Sequence, residues 1–303
     1  MLGLLAAGLG SCSLMHDDLD PCPSGVDIDF VYDYNIQRAD MFPDHVGSVT
    51  VYVFDENNRF ITQQEEFNTT TARPLAEHGY RMHLDLAPGT YSFIAIAHQK
   101  SHAECLAAPG AKFRRSELTQ AVSYKTDFSV TLDRAESQVK NQGVSLDTLW
   151  HGMSMQPLTI RDMEEARQTI SLVRDTKNLT ISLHQLDNPA DIDGDDFDIT
   201  ITAANGRIVH DNSLADDEVL TYTPYARWTT EFTTEGSRDG TPVVLERTAH
   251  AALSFNRIMH YASAADNEAN AMLNITNRTT GETVARINLP DCLAQGRGAF
   301  EYY

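Results

Sequence analysis

Short runs of alternating apolar and polar residues, separated by turn-forming residues, dominate this chain. Val26 to Tyr34 places apolar side chains on one parity and mostly aspartates on the other, and Val49 to Phe54 is a second strand-like run. A period of two indicates a β-strand, and no stretch shows the period of a long helix. Asn205-Gly206 predicts a tight hairpin turn between two such strands. The chain is therefore predicted to be all-β, with two β-sandwiches of about seven strands each.

The alternation of apolar and polar residues is interrupted between His151 and Pro157, which places the predicted domain boundary there. The irregular region 99–118 is expected to be a loop with one helical turn, and Arg161 to Arg167 is expected to form a short helix. The expected organisation is an export signal at 1–11, a tether at 12–23, a first sandwich at 24–157 and a second at 158–303.

The charge balance disfavours two classes of partner. The 303 residues include 43 acidic and 23 basic side chains, for a net charge of -20. Such a field repels phosphate backbones and anionic lipid surfaces. Neither nucleic-acid binding nor adsorption to an anionic membrane surface is expected.

The first eleven residues predict export. Met1 to Ser11 is apolar and uncharged, and it is too short to span a bilayer. It leads into Leu9-Gly10-Ser11-Cys12, which resembles the lipobox of bacterial lipoproteins, so Cys12 is expected to carry lipid. The run lacks the usual preceding Lys or Arg, which a translation start upstream of Met1 would explain. The alternative is a cysteine that follows an apolar segment by chance.

The other three cysteines are Cys22, Cys105 and Cys292. They contain no CxxC pair, so no zinc ribbon or thioredoxin-like site is predicted. Export permits disulfides. Cys22 with Cys105 is the preferred pair, because both fall in the first half, and Cys292 is then left over. Three unpaired thiols are the alternative.

Two groups of residues are candidates for metal sites. Asp191, Asp193 and Asp195 supply carboxylates that Ca²⁺ prefers, but the EF-hand pattern needs Gly at the sixth position and Gly194 is fourth. A solvated acidic turn is the preferred interpretation. His98 and His102 have helical spacing but lack the Glu of a zinc-protease motif, which favours loop histidines. No metal, cofactor or catalytic residue is predicted, since no nucleophile elbow, P-loop or dinucleotide motif occurs.

Several segments together resemble the FimB-type fimbrial anchor family of Bacteroidota. They are Cys22-Pro23, Phe30 to Asn35, Val49 to Asp55, Leu86 to Tyr91, Leu172 to Leu183, Ile199 to Gly206 and Tyr222 to Tyr225. The resemblance implies two tandem transthyretin-like, Greek-key β-sandwiches in an outer-membrane lipoprotein. It also implies a non-catalytic protein at the base of a type V pilus, which binds fimbrillin subunits and limits fibre length. The lipidated cysteine of the family corresponds to Cys12. The alternative function is a glycan-binding surface lipoprotein or a pilus-tip adhesin.

Two further expectations concern exposed sites. Asp147-Thr148-Leu149 resembles an O-glycosylation motif of exported proteins in that phylum, with chance as the alternative. Trp150 and Trp228 are interpreted mainly as packing residues, and sugar-stacking platforms are the alternative.

The C-terminal residues raise a question about the second sandwich. Ala299 to Tyr303 follows a glycine-containing turn and resembles the start of a further element. If the sequence is a fragment, an apolar edge should be exposed along Met272 to Thr276 and Val284 to Leu289. A docking site for a partner's strand is the other interpretation of such an edge.

Overall fold

The computed structural model describes residues 25–162, 164–187, 190–235, 242–261, 263 and 267–295. The strands are β1 (Val26–Val31), β2 (Ser48–Asp55), β3 (Phe60–Phe67), β4 (Arg81–Leu84), β5 (Gly89–His98), β6 (Phe113–Arg115), β7 (Ser129–Leu132), β8 (Leu149–Met153), β9 (Leu158–Ile160), β10 (Ala166–Arg174), β11 (Lys177–His184), β12 (Phe197–Ala203), β13 (Arg207–Val209), β14 (Leu220–Tyr222), β15 (Ala226–Glu235), β16 (Pro242–Phe255), β17 (Met272–Asn277) and β18 (Thr283–Asn288). The helices are α1 (Phe42–His45), α2 (His102–Ala107) and α3 (Leu289–Ala294), and 3-10 turns lie at Pro74–Ala76, Lys125–Asp127, Gly194–Asp196 and Asn267–Ala269. The predicted all-β class is confirmed.

The first half is organised by an eight-stranded sheet. Its spatial order is β3-β2-β5-β8-β10-β1-β4, with β9 paired to β5. Strand β2 is buried along nearly its whole length, because apolar clusters cover both faces of the sheet. A strand covered on both faces reads as a continuous apolar run, which explains why Val49 to Phe54 shows weaker alternation than β1.

The second half has the form of a sandwich. One sheet has the order β11-β16-β15 and the other β14-β12-β17-β18. Leu253 and Phe255 of the first sheet lie in the same apolar cluster as Ile201 and Leu273 of the second. Two sheets whose inner faces share one core form the predicted sandwich-like arrangement.

A third small sheet joins the two halves, and it shows that the predicted hairpin at Asn205-Gly206 is wrong. β12 pairs with β14 and β17, whereas β13 pairs with β7 of the first half. The side-chain amide of Asn205 is buried and donates to the Asn256 carbonyl at 2.9 Å, while the Tyr222 hydroxyl donates to its Oδ1 at 2.6 Å. These long-range bonds determine the path of the chain here, so a local turn preference is overridden.

The region around the predicted domain boundary also differs from expectation. The helical turn expected in region 99–118 is present as α2, but the loop expected around it is interrupted by β6. The helix expected at Arg161 to Arg167 is wrong, since β10 begins at Ala166. β10 pairs in parallel with β1 and antiparallel with β8. The sheet of the first half thus extends past Pro157 to Arg174. The division into two independent domains stays a prediction.

Candidate functional site

Two edge strands of the second sandwich leave an apolar strip half covered. β11 and β18 each end a sheet and have one strand neighbour among the described residues. Leu179, Ile181 and Leu183 of β11, with Ala285 and Ile287 of β18, face the core but are only partly buried. We call these five residues the seam. Their partial exposure means that the described residues do not close the core along this side.

The two strands of the seam lie on the same side of the sandwich. A single cavity is lined by Leu179 near the start of β11 and by Leu289 and Leu293 of α3. Because α3 follows β18 directly, the end of β18 lies near the start of β11. An extended segment that lies at this end of the two edges would therefore contact both of them there.

The edge at β3 differs in chemistry. β3 exposes Gln63, Gln64 and Glu65 in succession. Polar and charged side chains on an edge discourage pairing with other chains, whereas an apolar edge with free backbone groups invites it. Of these edges, the seam is the one suited to accept a strand, with main-chain hydrogen bonds supplying affinity and alternate side chains filling pockets.

The sequence located this edge in part. The expectation for Val284 to Leu289 agrees with the position of β18, although Leu289 itself begins α3. The expectation for Met272 to Thr276 is wrong, because β17 lies between β12 and β18 inside its sheet. The contribution of β11 was missed. The alternation of Leu179, Ile181 and Leu183 with polar residues indicates a strand, but it does not indicate that the strand is an edge.

The cysteine predictions are mostly outside the described residues. Cys12 and Cys22 both lie there, so lipidation and the disulfide stay predictions. Cys105 is buried in α2, and burial, followed by the nearby Asp147 carboxylate, raises the pKa of its thiol to about 11. Cys292 is exposed on α3. A thiol with a raised pKa is a poor nucleophile at neutral pH, which gives Cys105 no catalytic character.

The expectation that His98 and His102 are loop histidines is wrong, since His98 ends β5 and His102 begins α2, with ring centroids 6.1 Å apart. Burial, and then the charge of Arg115, lowers the pKa of His98 well below its usual range and that of His102 to about 4. His98 Nδ1 lies 3.1 Å from the Thr148 carbonyl oxygen. Both imidazoles are therefore neutral at neutral pH and pack as part of the first half.

The acidic segment forms a capped turn. The Asp193 carboxylate accepts from the Asp195 backbone N–H at 2.9 Å, and the Asp193 N–H donates to Asp196 Oδ2 at 3.0 Å. Asp191 is exposed nearby. Within the described part of the chain, no group of three or more His, Cys, Asp or Glu residues is arranged to hold a metal ion.

Thr148 precedes β8 and is half-buried. Its hydroxyl donates to Gln99 Oε1 at 3.3 Å, and its carbonyl oxygen contacts His98. Glycosylation at Thr148 stays a prediction, and it would require the Gln99 contact to be given up.

The two tryptophans differ in environment. Trp150 is 1% exposed and stands in a T-shaped contact with Tyr32, which confirms the packing interpretation. Trp228 is 42% exposed on β15 and stacks on His250 with ring centroids 5.0 Å apart. His250 is fixed by Ser182 Oγ and Thr230 Oγ1, each 2.9 Å from one of its ring nitrogens. The result is an exposed aromatic platform bordered by hydroxyls.

No helix in the described ranges is both long and apolar enough to cross a membrane.

Comparison with solved structures supports this architecture. A polysaccharide-binding candidate from Bacteroides thetaiotaomicron is 27% identical with a TM-score of 0.71, and the match covers 92% of this chain and 87% of that one. An adhesin candidate from the same organism is 26% identical with a TM-score of 0.71, covering 91% and 84%. The fimbrial anchor protein Mfa2 from Porphyromonas gingivalis is 16% identical with a TM-score of 0.64, covering 93% and 88%, which shows a shared fold.

No curated protein matches the chain at a significant level. The family model for fimbrillin-A associated anchor proteins Mfa1 and Mfa2, in contrast, matches residues 19–303. That range includes every strand described above, including both edges of the seam. The chain therefore belongs to the family of fimbrillin-A associated anchor proteins.

Proposed function

We propose that this protein anchors a surface fimbria to the outer membrane. The observation that carries the proposal is the family match across residues 19–303. Lipid on Cys12 holds the protein to the membrane, and the folded part binds a fimbrial subunit. Several acyl chains on one cysteine give stable attachment, at about 0.8 kcal/mol per buried CH₂, whereas one chain gives marginal attachment.

The seam is the proposed docking site for the subunit. A fibre pulls on its base, so the contact must resist force. A strand added between β11 and β18 would form backbone hydrogen bonds along its length. It would also cover Leu179, Ile181 and Leu183, whose partial exposure is otherwise unfavourable, at about 25 cal/mol per Å² of apolar surface.

Copurification tests this proposal. Outer membranes solubilised in detergent should yield fimbrial subunits together with the protein.

Cys12→Ala should move the protein from the membrane pellet to the soluble fraction, while Cys292→Ala should stay in the pellet as the matched control, since Cys292 is an exposed thiol on α3. If Cys12→Ala remains in the pellet after a high-salt wash, lipid on Cys12 is not the anchor.

Limitation of fibre length belongs to the same proposal. A subunit that occupies the seam is attached to the membrane, and the fibre then has a fixed base. Cells without the protein should release fibres, and electron microscopy should show these to be longer than fibres on wild-type cells. Equal length distributions would remove length control from the proposal.

A second candidate function is glycan binding by the exposed face of β15 and β16. Trp228 stacked on His250, with Thr230 beside it, has the aromatic surface and hydroxyls that sugar rings contact. The relative described as a polysaccharide-binding candidate is consistent with this function. Retention on immobilised polysaccharides, lost in Trp228→Ala, would support it. Unchanged retention of Trp228→Ala would count against it.

A further inference from the structure

A cavity of about 580 Å³ opens beside the seam, where the first sheet meets the second sandwich. Its walls come from four segments, which are the loop after β1, the corner between β10 and β11, the residues that follow β16, and α3. The volume is within the range of about 300–1,000 Å³ that is usual for small-molecule sites. Strand docking along the seam does not account for this cavity, because Leu179 is the only seam residue among its lining residues.

Most of the wall is apolar. Phe255, Ile258 and Leu289 form buried parts of the lining, and Leu293 is half-buried. Ile36, also a lining residue, is 71% exposed. Together these side chains form a mainly apolar concave surface, and such a surface favours a ligand with an apolar body.

Three cations line the same cavity, although the chain as a whole has a net charge of -20. Arg257 is already engaged, since it donates to the Asn212 carbonyl at 2.8 Å and lies 3.8 Å from the buried Asp175 carboxylate. Within the described ranges, neither Arg174 nor Lys177 forms an ion pair within 4 Å. Burial lowers the pKa of Lys177 to about 8, so its ammonium is still largely charged at neutral pH.

Nearby carboxylates balance this charge only in part. Asp175 is shared between Arg257 and the more distant Lys177, and burial raises its pKa to about 7. Asp291 is occupied by His260, at 2.8 Å. The cavity therefore combines an apolar wall with positive charge that the nearby carboxylates balance only in part, and partly buried charge that is incompletely paired is unfavourable. An anion carried by a ligand would supply the missing partner.

We propose that this cavity binds a small anionic amphiphile. Arg174 and Lys177 hold a single carboxylate, and an unbranched hydrocarbon body lies against Ile36, Ile258 and Leu293. Concave walls built from four segments suit a small molecule, whereas a docked protein typically needs a larger surface of about 800 Å² per partner.

Calorimetric titration with laurate tests the proposal. The sample is the full chain freed of bound lipid, and laurate is kept below its critical micelle concentration. Laurate should bind saturably with one site per chain. Acetate has the carboxylate without the hydrocarbon chain, and dodecanol has the hydrocarbon chain without the carboxylate. Each should therefore bind at least about tenfold more weakly than laurate. Equal affinity for laurate and dodecanol would overturn the assignment of Arg174 and Lys177.

Variants locate the site. Arg174→Gln and Lys177→Gln should each weaken laurate binding about tenfold. Arg167→Gln is the matched control, because Arg167 lies on the same strand but is exposed and paired with Glu165. Ile36→Glu should also weaken binding, and its exposure makes it safe for folding. Wild-type affinity in all three cavity variants would overturn the proposal, as would displacement of laurate by an acidic peptide that binds more tightly.

Discussion

Trp150 and Trp228 show how the same residue type contributes differently according to its surroundings. Trp150 of β8 lies in the apolar cluster on one face of the eight-stranded sheet and is 1% exposed. Trp228 has one face on His250 and is 42% exposed. Removing a buried ring leaves a cavity, whereas removing an exposed ring loses mainly one stacking contact.

Trp150→Ala is expected to lower the free energy of unfolding by about 3–5 kcal/mol. Trp228→Ala should change it by about 0.5 kcal/mol, as is usual for surface substitutions. Urea unfolding followed by circular dichroism measures both. Similar midpoints for the two variants would contradict the environments described here.

Asp175 predicts an unusual pH dependence of stability. Burial raises the pKa of its carboxyl to about 7 in the folded protein. An acid with a raised folded-state pKa binds its proton more tightly when folded, so its stabilising contribution is present below its ordinary pKa of about 4 and is lost as the pH rises through 7. Relative to Asp175→Asn, the wild type should therefore lose stability between about pH 4 and 7.

The measurement is the difference in unfolding free energy between wild type and Asp175→Asn across this pH range. The difference should change with a slope of up to about 1.4 kcal/mol per pH unit. Comparing the two proteins cancels the contributions of other carboxylates. A constant difference would show that the Asp175 carboxyl titrates normally.

At the scale of elements, the local sequence pattern predicted the positions of most strands but not the strands with which they pair. The alternation of β1 and the apolar run of β2 were both visible in the sequence. The start of β10 was missed, because the helix predicted at Arg161 to Arg167 overlaps the first two residues of this strand. Its parallel partner β1 lies more than a hundred residues earlier in the chain. Such non-local pairing leaves no local signal.

The candidate site was likewise predictable only in part. Edge strands are defined by the absence of a neighbour, which depends on the order of all strands in a sheet. The sequence could therefore indicate β18 but not that β17 is interior or that β11 is the opposing edge. The cavity beside the seam was not visible in the sequence at all, because its walls come from four separate segments.

The seam predicts a charge-sensitive docking interface. Ile181→Lys places an ammonium on the half-buried face of β11, where its long stem can reach water in the isolated protein. A docked strand would bury that charge, so copurification of fimbrial subunits should fall at least about tenfold. Thr180→Lys is the matched control, because the neighbouring residue points to the exposed face.

Thermal unfolding of both lysine variants separates docking from folding. Ile287→Lys on β18 provides an independent second variant from the other side of the seam. If Ile181→Lys and Ile287→Lys fold and retain subunits as well as Thr180→Lys does, the seam is not the docking site.

At the scale of the whole molecule, the proposed anchor and the proposed dock lie in different parts of the chain. Cys12 precedes the first sheet, whereas the seam belongs to the second sandwich. The small sheet of β6, β7 and β13 and a shared apolar cluster join the two halves. A pulling force on the seam would therefore be transmitted through packed structure toward the lipid. Membrane anchoring and subunit docking should nevertheless be separable by mutation.

Cys12→Ala and Ile181→Lys should accordingly give opposite cellular results. Cys12→Ala should release fimbriae into the medium with the protein still attached to them, since the seam is intact. Ile181→Lys should leave the protein in the outer membrane and release fimbriae without it, since the lipid is intact. Immunogold electron microscopy of shed fibres, with blots of membrane and medium, distinguishes the two outcomes. Shed fibres that carry the protein in both variants would mean that docking does not use the seam, and membrane-bound fibres in Cys12→Ala would mean that another contact holds the base.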